Sequence, residues 1–238
     1  MDSSNLLIEG AKTFGIRLDA AMCDQLMAYS RLILEWNEKI NLTSITDEEG
    51  MIVKHFLDSL SVCRFIETGR KSLIDVGTGA GFPGIPLKIV GKELSVTLLD
   101  SLEKRVKFLN EVISLLSLKE IQAVHGRAED FGVMPSFREK YDYAIARAVA
   151  DLAVLCEYCL PFVKIGGHFI AMKGPMVEQE LLKAKKAISI LGGEVIQDEK
   201  LVLPSSDYER TIILIRKCRQ TSPGYPRKSG KPTKSPLI

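Results

Sequence analysis

The chain has 238 residues, of which 46% are hydrophobic and 26% charged, with a net charge of +2. This composition excludes a disordered or collagen-like chain, and no run of 18 apolar residues is present to span a membrane as a helix. Five scattered cysteines, and an N-terminus without a basic start or small-residue cleavage site, predict a cytoplasmic protein with free thiols.

The first 68 residues are patterned as helices. Leu6, Leu7, Ala11 and Phe14 predict a short amphipathic helix ended by Gly15. Asp19 is placed to cap a longer one, along which Met22, Leu26, Tyr29, Ile33, Trp36 and Ile40 recur every three or four residues. After the polar break NLTSITDEEG, Asp47 can cap a third helix through MIVKHFLDSLSVCRFI, on which His55 and Asp58 share one face. With no strand of its own, segment 1–68 is expected to pack its apolar faces on the sheet that follows.

From residue 71 the pattern changes. Strand candidates Ser72–Val76, Ser95–Leu99, Ile121–His125, Tyr141–Ala146 and His168–Lys173 alternate with helices at about 84–90, 102–116, 151–162 and 177–191. Repeated β-α alternation predicts a mostly parallel, doubly wound α/β sheet covered on both faces. Glu194–Lys200 and Arg210–Lys217 are joined by LPSSDYE, too short for a crossover helix, so they should pair antiparallel at one edge. The resulting seven-stranded, Rossmann-like sheet over 69–218 is the architecture of the common methyltransferase fold. Cys156 and Cys159 fall inside an apolar helix and are expected to be packed there rather than to hold metal. Residues 216–238 carry seven Lys and Arg and no acid, which leaves −5 for residues 1–215. Segment 219–238, rich in Pro, Gly and Ser, is expected to be a flexible basic arm able to meet phosphates.

The strongest local signal is SLIDVGTGAGFPGIPLKIV, where a strand ends at Asp75-Val76 and Gly77, Gly79, Gly81 and Gly84 form a turn opening a helix. Gly79–Gly84 also fits the dinucleotide pattern G-x-G-x-x-G. Asp100 ends the next strand, where a carboxylate can accept both hydroxyls of an adenosine ribose. Asp75 separates the two cofactor classes: an acid there suits the ammonium of a methionine moiety and sits poorly with pyrophosphate, which favours S-adenosylmethionine over NAD. In HGRAEDF, Glu129 and the Ala128–Glu129 backbone are placed for the adenine end, and Arg147 stands at the carboxyl end of the fourth strand.

No nucleophilic triad, metal-ligand carboxylate pair, phosphate-loop lysine or deaminase His/Cys cluster can be assembled, so no metal is expected. His125 and His168 lie in apolar strands and read as structural. A methyl acceptor that needs no general base, such as guanine N7, fits such a residue set.

Through WNEKINLTSI (36–45), KHFLDSL (54–60), DVGTGAGFPGIPLKI (75–89), LLDSLEKRVKFL (98–109), GRAEDF (126–131), ARAVA (146–150) and GYPRKSGKPTKSP (224–236), the chain resembles the bacterial 16S rRNA (guanine-N7) methyltransferase G family, also called glucose-inhibited division protein B. The resemblance implies methyl transfer from S-adenosylmethionine to N7 of one guanine in the 530 loop of 16S rRNA, with the rRNA, the 30S subunit or its precursor as partner; a monomer is expected. It implies cofactor contacts at Gly77, Phe82, Ala128, Glu129 and Arg147, supported by Gly79 and Asp100, beside Asp75 as read above from the residues. Arg147, Asn41, His55 and Asp58 would lie at the mouth where base and cofactor meet, and Lys173 would contact phosphate or base. Arg227, Lys228, Lys231 and Lys234 are expected to raise RNA affinity. The competing readings are a methyltransferase for another RNA or a small molecule, an NAD-dependent dehydrogenase, and a non-catalytic rRNA-binding assembly protein.

Overall fold

A computed structural model describes residues 3–147 and 150–238; Ala148 and Val149, part of the ARAVA motif, lie outside the described residues. Helix α1 (Ser3–Thr13) buries Leu6, Leu7 and Ala11 and ends at Gly15, whose φ of +75° a side chain would strain. Asp19 caps α2 (Ala20–Asn37), accepting from the Met22 amide. Asp47 accepts from the Gly50 amide and starts α3, helical over Glu48–Gly50, π-helical over Met51–Leu57 and helical again over Asp58–Leu60.

The seven strands are β1 (Ser72–Val76), β2 (Ser95–Asp100), β3 (Ile121–His125), β4 (Tyr141–Arg147), β5 (Val163–Lys173), β6 (Gly193–Val202) and β7 (Glu209–Lys217), in the order 3-2-1-4-5-7-6. The first five pair in parallel, and β7 lies antiparallel between β5 and β6. Helices α4 (Gly84–Val90), α5 (Glu103–Leu115), α6 (Ala128–Phe131), α7 (Leu152–Cys159) and α8 (Glu178–Ile190) fill the connections, and α9 (Lys231–Lys234) is a single turn near the C-terminus. Strand β5 starts at Val163, ahead of its expected border at His168. Its extra residues sit in an irregularity of the β4–β5 register, where Gly166 takes a φ of +86°.

Side-chain alternation along the strands feeds two cores. Leu73, Leu98, Ile145, Ile170 and Ile212 pack with Leu7, Leu26, Tyr29, Ile33, Phe56 and Leu57, so the N-terminal helices share one core with a sheet face. Ile74, Ala144, Phe169 and Ile213 pack on the other face with α7 and α8, where Cys156 and Cys159 are fully buried. No helix among the described residues is long and apolar enough to cross a membrane.

The C-terminal segment is no free arm. Arg227 pairs with the buried Glu157 carboxylate at 2.6 Å, and Arg138 donates to the carbonyls of Thr221, Ser222 and Tyr225. Thr221, Pro226 and Pro232 are buried. Composition suggested mobility, but α7 presents a buried acid that this cation-rich stretch satisfies.

Candidate functional site

Strand order reverses between β1 and β4, which opens a crevice at their carboxyl ends. The turn after β1 is stitched to β2 by the Gly77 and Thr78 amides, both donating to the Leu99 carbonyl at 2.8 and 3.2 Å. Gly77, Gly79 and Gly81 all take positive φ. A Cβ at Gly81 would strike Ile85 and the Tyr29 hydroxyl, whereas a Cβ at Gly79 would enter open space. Gly79 therefore bares its backbone to a ligand, and Gly81 is a packing glycine.

Asp75 is fully buried. Its Oδ2 accepts from Thr78 Oγ1 at 2.6 Å and the Gly84 amide at 2.8 Å, while Oδ1 has no hydrogen-bond partner among the described residues. Burial raises its pKa from 3.8 to about 6 against those two hydrogen bonds. An orphaned buried carboxylate oxygen is costly unless a donor reaches it. Asp100 closes the next corner: Oδ2 accepts from the Gly79 amide at 2.9 Å and Oδ1 from the Leu102 amide at 2.8 Å, with Arg105 Nη1 3.5 Å from Oδ2. A carboxylate oxygen has two lone pairs, so this acid can still accept from a ligand. Gly126 donates to the Asp100 carbonyl at 3.0 Å, which brings the Ala128–Glu129 turn beside the same acid. The orphaned acid, the bare glycine and Asp100 suit the ammonium, linker and ribose of S-adenosylmethionine in turn.

The mouth is organised around Arg147, at the end of β4. Its Nη1 donates to the Lys54 carbonyl at 3.1 Å and to Asp58 Oδ2 at 3.0 Å, and its Nη2 meets His55 Nδ1 at 3.0 Å. An arginine has no lone pair to accept with, so His55 Nδ1 accepts and its proton sits on Nε2, 2.8 Å from Thr43 Oγ1. Burial first, then the cations Arg147, Arg210 and Lys54, push the His55 pKa down to about 3. His55 is thus neutral at physiological pH, and neither nitrogen is free to take a proton. Phe82 lies beneath it, ring centroids 4.3 Å apart and 9° from parallel, with the Arg147 guanidinium 5.0 Å from the same ring. The Phe82 ring is buried, so its side chain seats His55 and Arg147.

The expected residues divide. Asp75, Gly77, Gly79, Asp100, Ala128 and Arg147 gather along the crevice, with His55 and Asp58 bound to Arg147. Asn41 is exposed, on a cleft of about 800 Å³ that it lines with Asn37, Ser101, Leu102 and Arg105. Lys173 departs from expectation: its Nζ pairs with Glu180 at 2.7 Å and donates to the Ala150 carbonyl at 2.9 Å, because the first turn of α8 reaches the end of β5. The Glu129 carboxylate is buried and accepts from the Gly230 amide at 2.9 Å, so it is engaged within the protein. Sequence reasoning missed Arg210, whose Nε donates to Asp58 Oδ1 at 3.1 Å, and the Asn37–Thr43 pair that orients His55. Asn37 and Thr43 stand within WNEKINLTSI beside the residue that was singled out. Arg210, 152 positions from Asp58, carried no local signal.

A family model described as "GidB: rRNA small subunit methyltransferase G" matches residues 22–208. The chain is 60% identical over 232 residues to "Ribosomal RNA small subunit methyltransferase G" of Acetivibrio thermocellus, covering 98% of this chain and 96% of that protein. It is 51% identical over 240 residues to the protein of the same name from Alkaliphilus metalliredigens, covering all of both. Among solved structures, MtNAS in complex with MTA and tNA superposes with a TM-score of 0.54 at 14% identity, over 82% of this chain and 71% of that one. M. jannaschii TYW2 in complex with AdoMet gives 0.53 at 17% identity, over 64% and 72%; at such identities the likeness is one of fold. The chain therefore belongs to the rRNA small subunit methyltransferase G (GidB) family of S-adenosylmethionine-dependent methyltransferases.

Proposed function

We propose that the protein methylates N7 of a guanine in the 530 loop of 16S rRNA, with S-adenosylmethionine as donor. The observation that carries the chemistry is the state of the mouth: its histidine is neutral with both nitrogens engaged, and Asp58 is held between two arginines. Such a site positions and stabilises but abstracts no proton. Guanine N7 bears a lone pair and no proton, so it needs only alignment. Bound S-adenosylmethionine supplies a sulfonium methyl open to direct displacement, without a covalent enzyme intermediate. Asp75 would hold the ammonium, Asp100 the ribose hydroxyls and the Ala128–Glu129 backbone the adenine edge. Arg147, fixed by Asp58 and His55, would face the target base.

The test is methyl transfer from labelled S-adenosylmethionine to deproteinised 16S rRNA and to 30S particles, both from cells lacking the gene, followed by mass mapping. A 7-methylguanosine in the 530 loop is expected. Label on another nucleotide, or on neither RNA despite cofactor binding, would transfer the proposal to another acceptor or to a non-catalytic rRNA-binding role.

Two further outcomes follow from the geometry. Asp75 holds its proton more tightly folded than unfolded, so the stability it contributes is present below about pH 4 and lost as pH rises to about 6. An ammonium at Oδ1 reverses that preference. Affinity for S-adenosylhomocysteine should rise about tenfold from pH 5 to pH 7 in the wild type and stay flat in Asp75→Asn. Calorimetry at the two pH values checks this, and a flat wild-type profile would remove Asp75 from the ligand.

RNA affinity should depend on Lys228, Lys231 and Lys234, which are exposed, and not on Arg227, which Glu157 occupies. Replacing the three lysines by alanine should flatten the dependence of log affinity on log salt by about 2. An unchanged slope would exclude them from the RNA contact.

A further inference from the structure

The Ala128–Glu129 turn is held at both ends by residues of the C-terminal segment. At its start the buried Glu129 carboxylate accepts from the Gly230 amide at 2.9 Å. At its end Pro226 packs so closely on Gly132 that a Cβ there would lie 2.9 Å from the proline Cγ. Arg138 joins the same two strands of chain, one Nη1 donating at 2.8 Å to both the Gly132 and Tyr225 carbonyls. The segment itself is anchored on α7: Arg227 clasps Glu157 through its backbone amide, Nε and Nη2, and Thr233 Oγ1 meets Tyr158 Oη at 2.9 Å. None of these bonds reaches the crevice directly. Together they set where the turn sits, and the turn is bonded to Asp100 through Gly126.

The same few residues carry the exposed charge. Gly230, at a φ of +79°, stands between Lys228 and Lys231, and the Lys231 amide closes that turn onto the Lys228 carbonyl at 3.0 Å. Phosphates bound by Lys228, Lys231 and Lys234 would therefore pull on the loop whose amide holds Glu129.

We infer that segment 225–234 is a strut that positions the adenine end of the cofactor site, and that through the Gly230–Glu129 bond RNA and cofactor raise each other's affinity. Glu129 and Gly230 are positioning residues in this scheme, because only the turn's backbone meets the ligand. The scheme rests on the reading that this turn takes the adenine. Because coupling between two binding sites is reciprocal, one titration measures it.

The experiment is calorimetry of S-adenosylhomocysteine with the full chain, with and without a 16S rRNA fragment containing the 530 loop. In the wild type the RNA should tighten binding. Glu129→Ala should weaken binding about tenfold and abolish the RNA effect, since the charge-assisted bond between the buried carboxylate and the Gly230 amide is lost. Glu129→Gln, which keeps an acceptor oxygen, should restore most of both. Replacing Lys228, Lys231 and Lys234 by alanine should remove the RNA effect. If Glu129→Ala lowers the melting temperature but binds ligand and responds to RNA as the wild type does, the bond is structural and the inference falls. Asp100→Ala separates this from failure of the underlying reading: if it too binds normally, the cofactor does not lie in this crevice.

Discussion

Replacing Arg147 by lysine is expected to lower methyl transfer at saturating cofactor and RNA by about 100-fold. The guanidinium makes three contacts at once, to the Lys54 carbonyl, Asp58 and His55 Nδ1, in directions an ammonium on a flexible stem cannot reproduce. Losing the equivalent of one or two charge-assisted hydrogen bonds at the mouth corresponds to about 2.7 kcal/mol in the barrier. Arg147→Ala should do at least as much and should also destabilise the fold. Asp58 would then keep only Arg210, so the cost should stay below the roughly 3–5 kcal/mol of a buried pair broken with no partner left. The comparison that decides is kcat against cofactor affinity. A lysine variant that folds and turns over at the wild-type rate would take Arg147 out of the reacting site, whereas a loss confined to cofactor binding would place it wholly on the cofactor side.

Asp100→Ala should weaken S-adenosylhomocysteine binding by about 100-fold or more while changing rRNA affinity little. The carboxylate already accepts from the Gly79 and Leu102 amides, so its removal loosens the turn it holds as well as deleting the expected ribose contact. Two such contacts at about 1.5 kcal/mol each exceed the roughly 2.7 kcal/mol that a hundredfold represents. Asp100→Asn, with one acceptor oxygen left, should fall between. Calorimetry with the nucleoside ligand and a filter-binding titration with 16S rRNA would separate the two effects. Equal ligand affinity in the wild type and the alanine variant would refute the ribose assignment.

The two sites differ in how far they could be read from the chain. The crevice proposed for the cofactor was legible because its parts are local. Asp75, Gly77 and Gly79 lie within one turn, and Asp100 ends the next strand, which a parallel β-α-β order must place alongside. The mouth was legible only in its members. His55 and Asp58 share a helix face, yet nothing near them in sequence announced that both would bind an arginine about 90 positions away, or that π-helical geometry would carry the helix through that point. Lys173 shows the converse. A lysine at a strand end reads as a ligand contact until a neighbouring helix supplies Glu180.

What the sequence by itself determined is the order of the main elements and, the start of β5 apart, most of their borders, with the helix caps at Asp19 and Asp47, the glycine turn and the family. These depend on hydrogen bonds and apolar spacings between residues a few positions apart. Only the tertiary structure decided which charges meet: Arg210 with Asp58, Arg227 with Glu157, the Glu129 carboxylate with the Gly230 amide. Each joins elements that strand order brings together across 70 to 152 positions. A buried carboxylate takes whichever donor the fold delivers to it, so a stretch that composition describes as a loose basic arm becomes a fixed part of the core's edge.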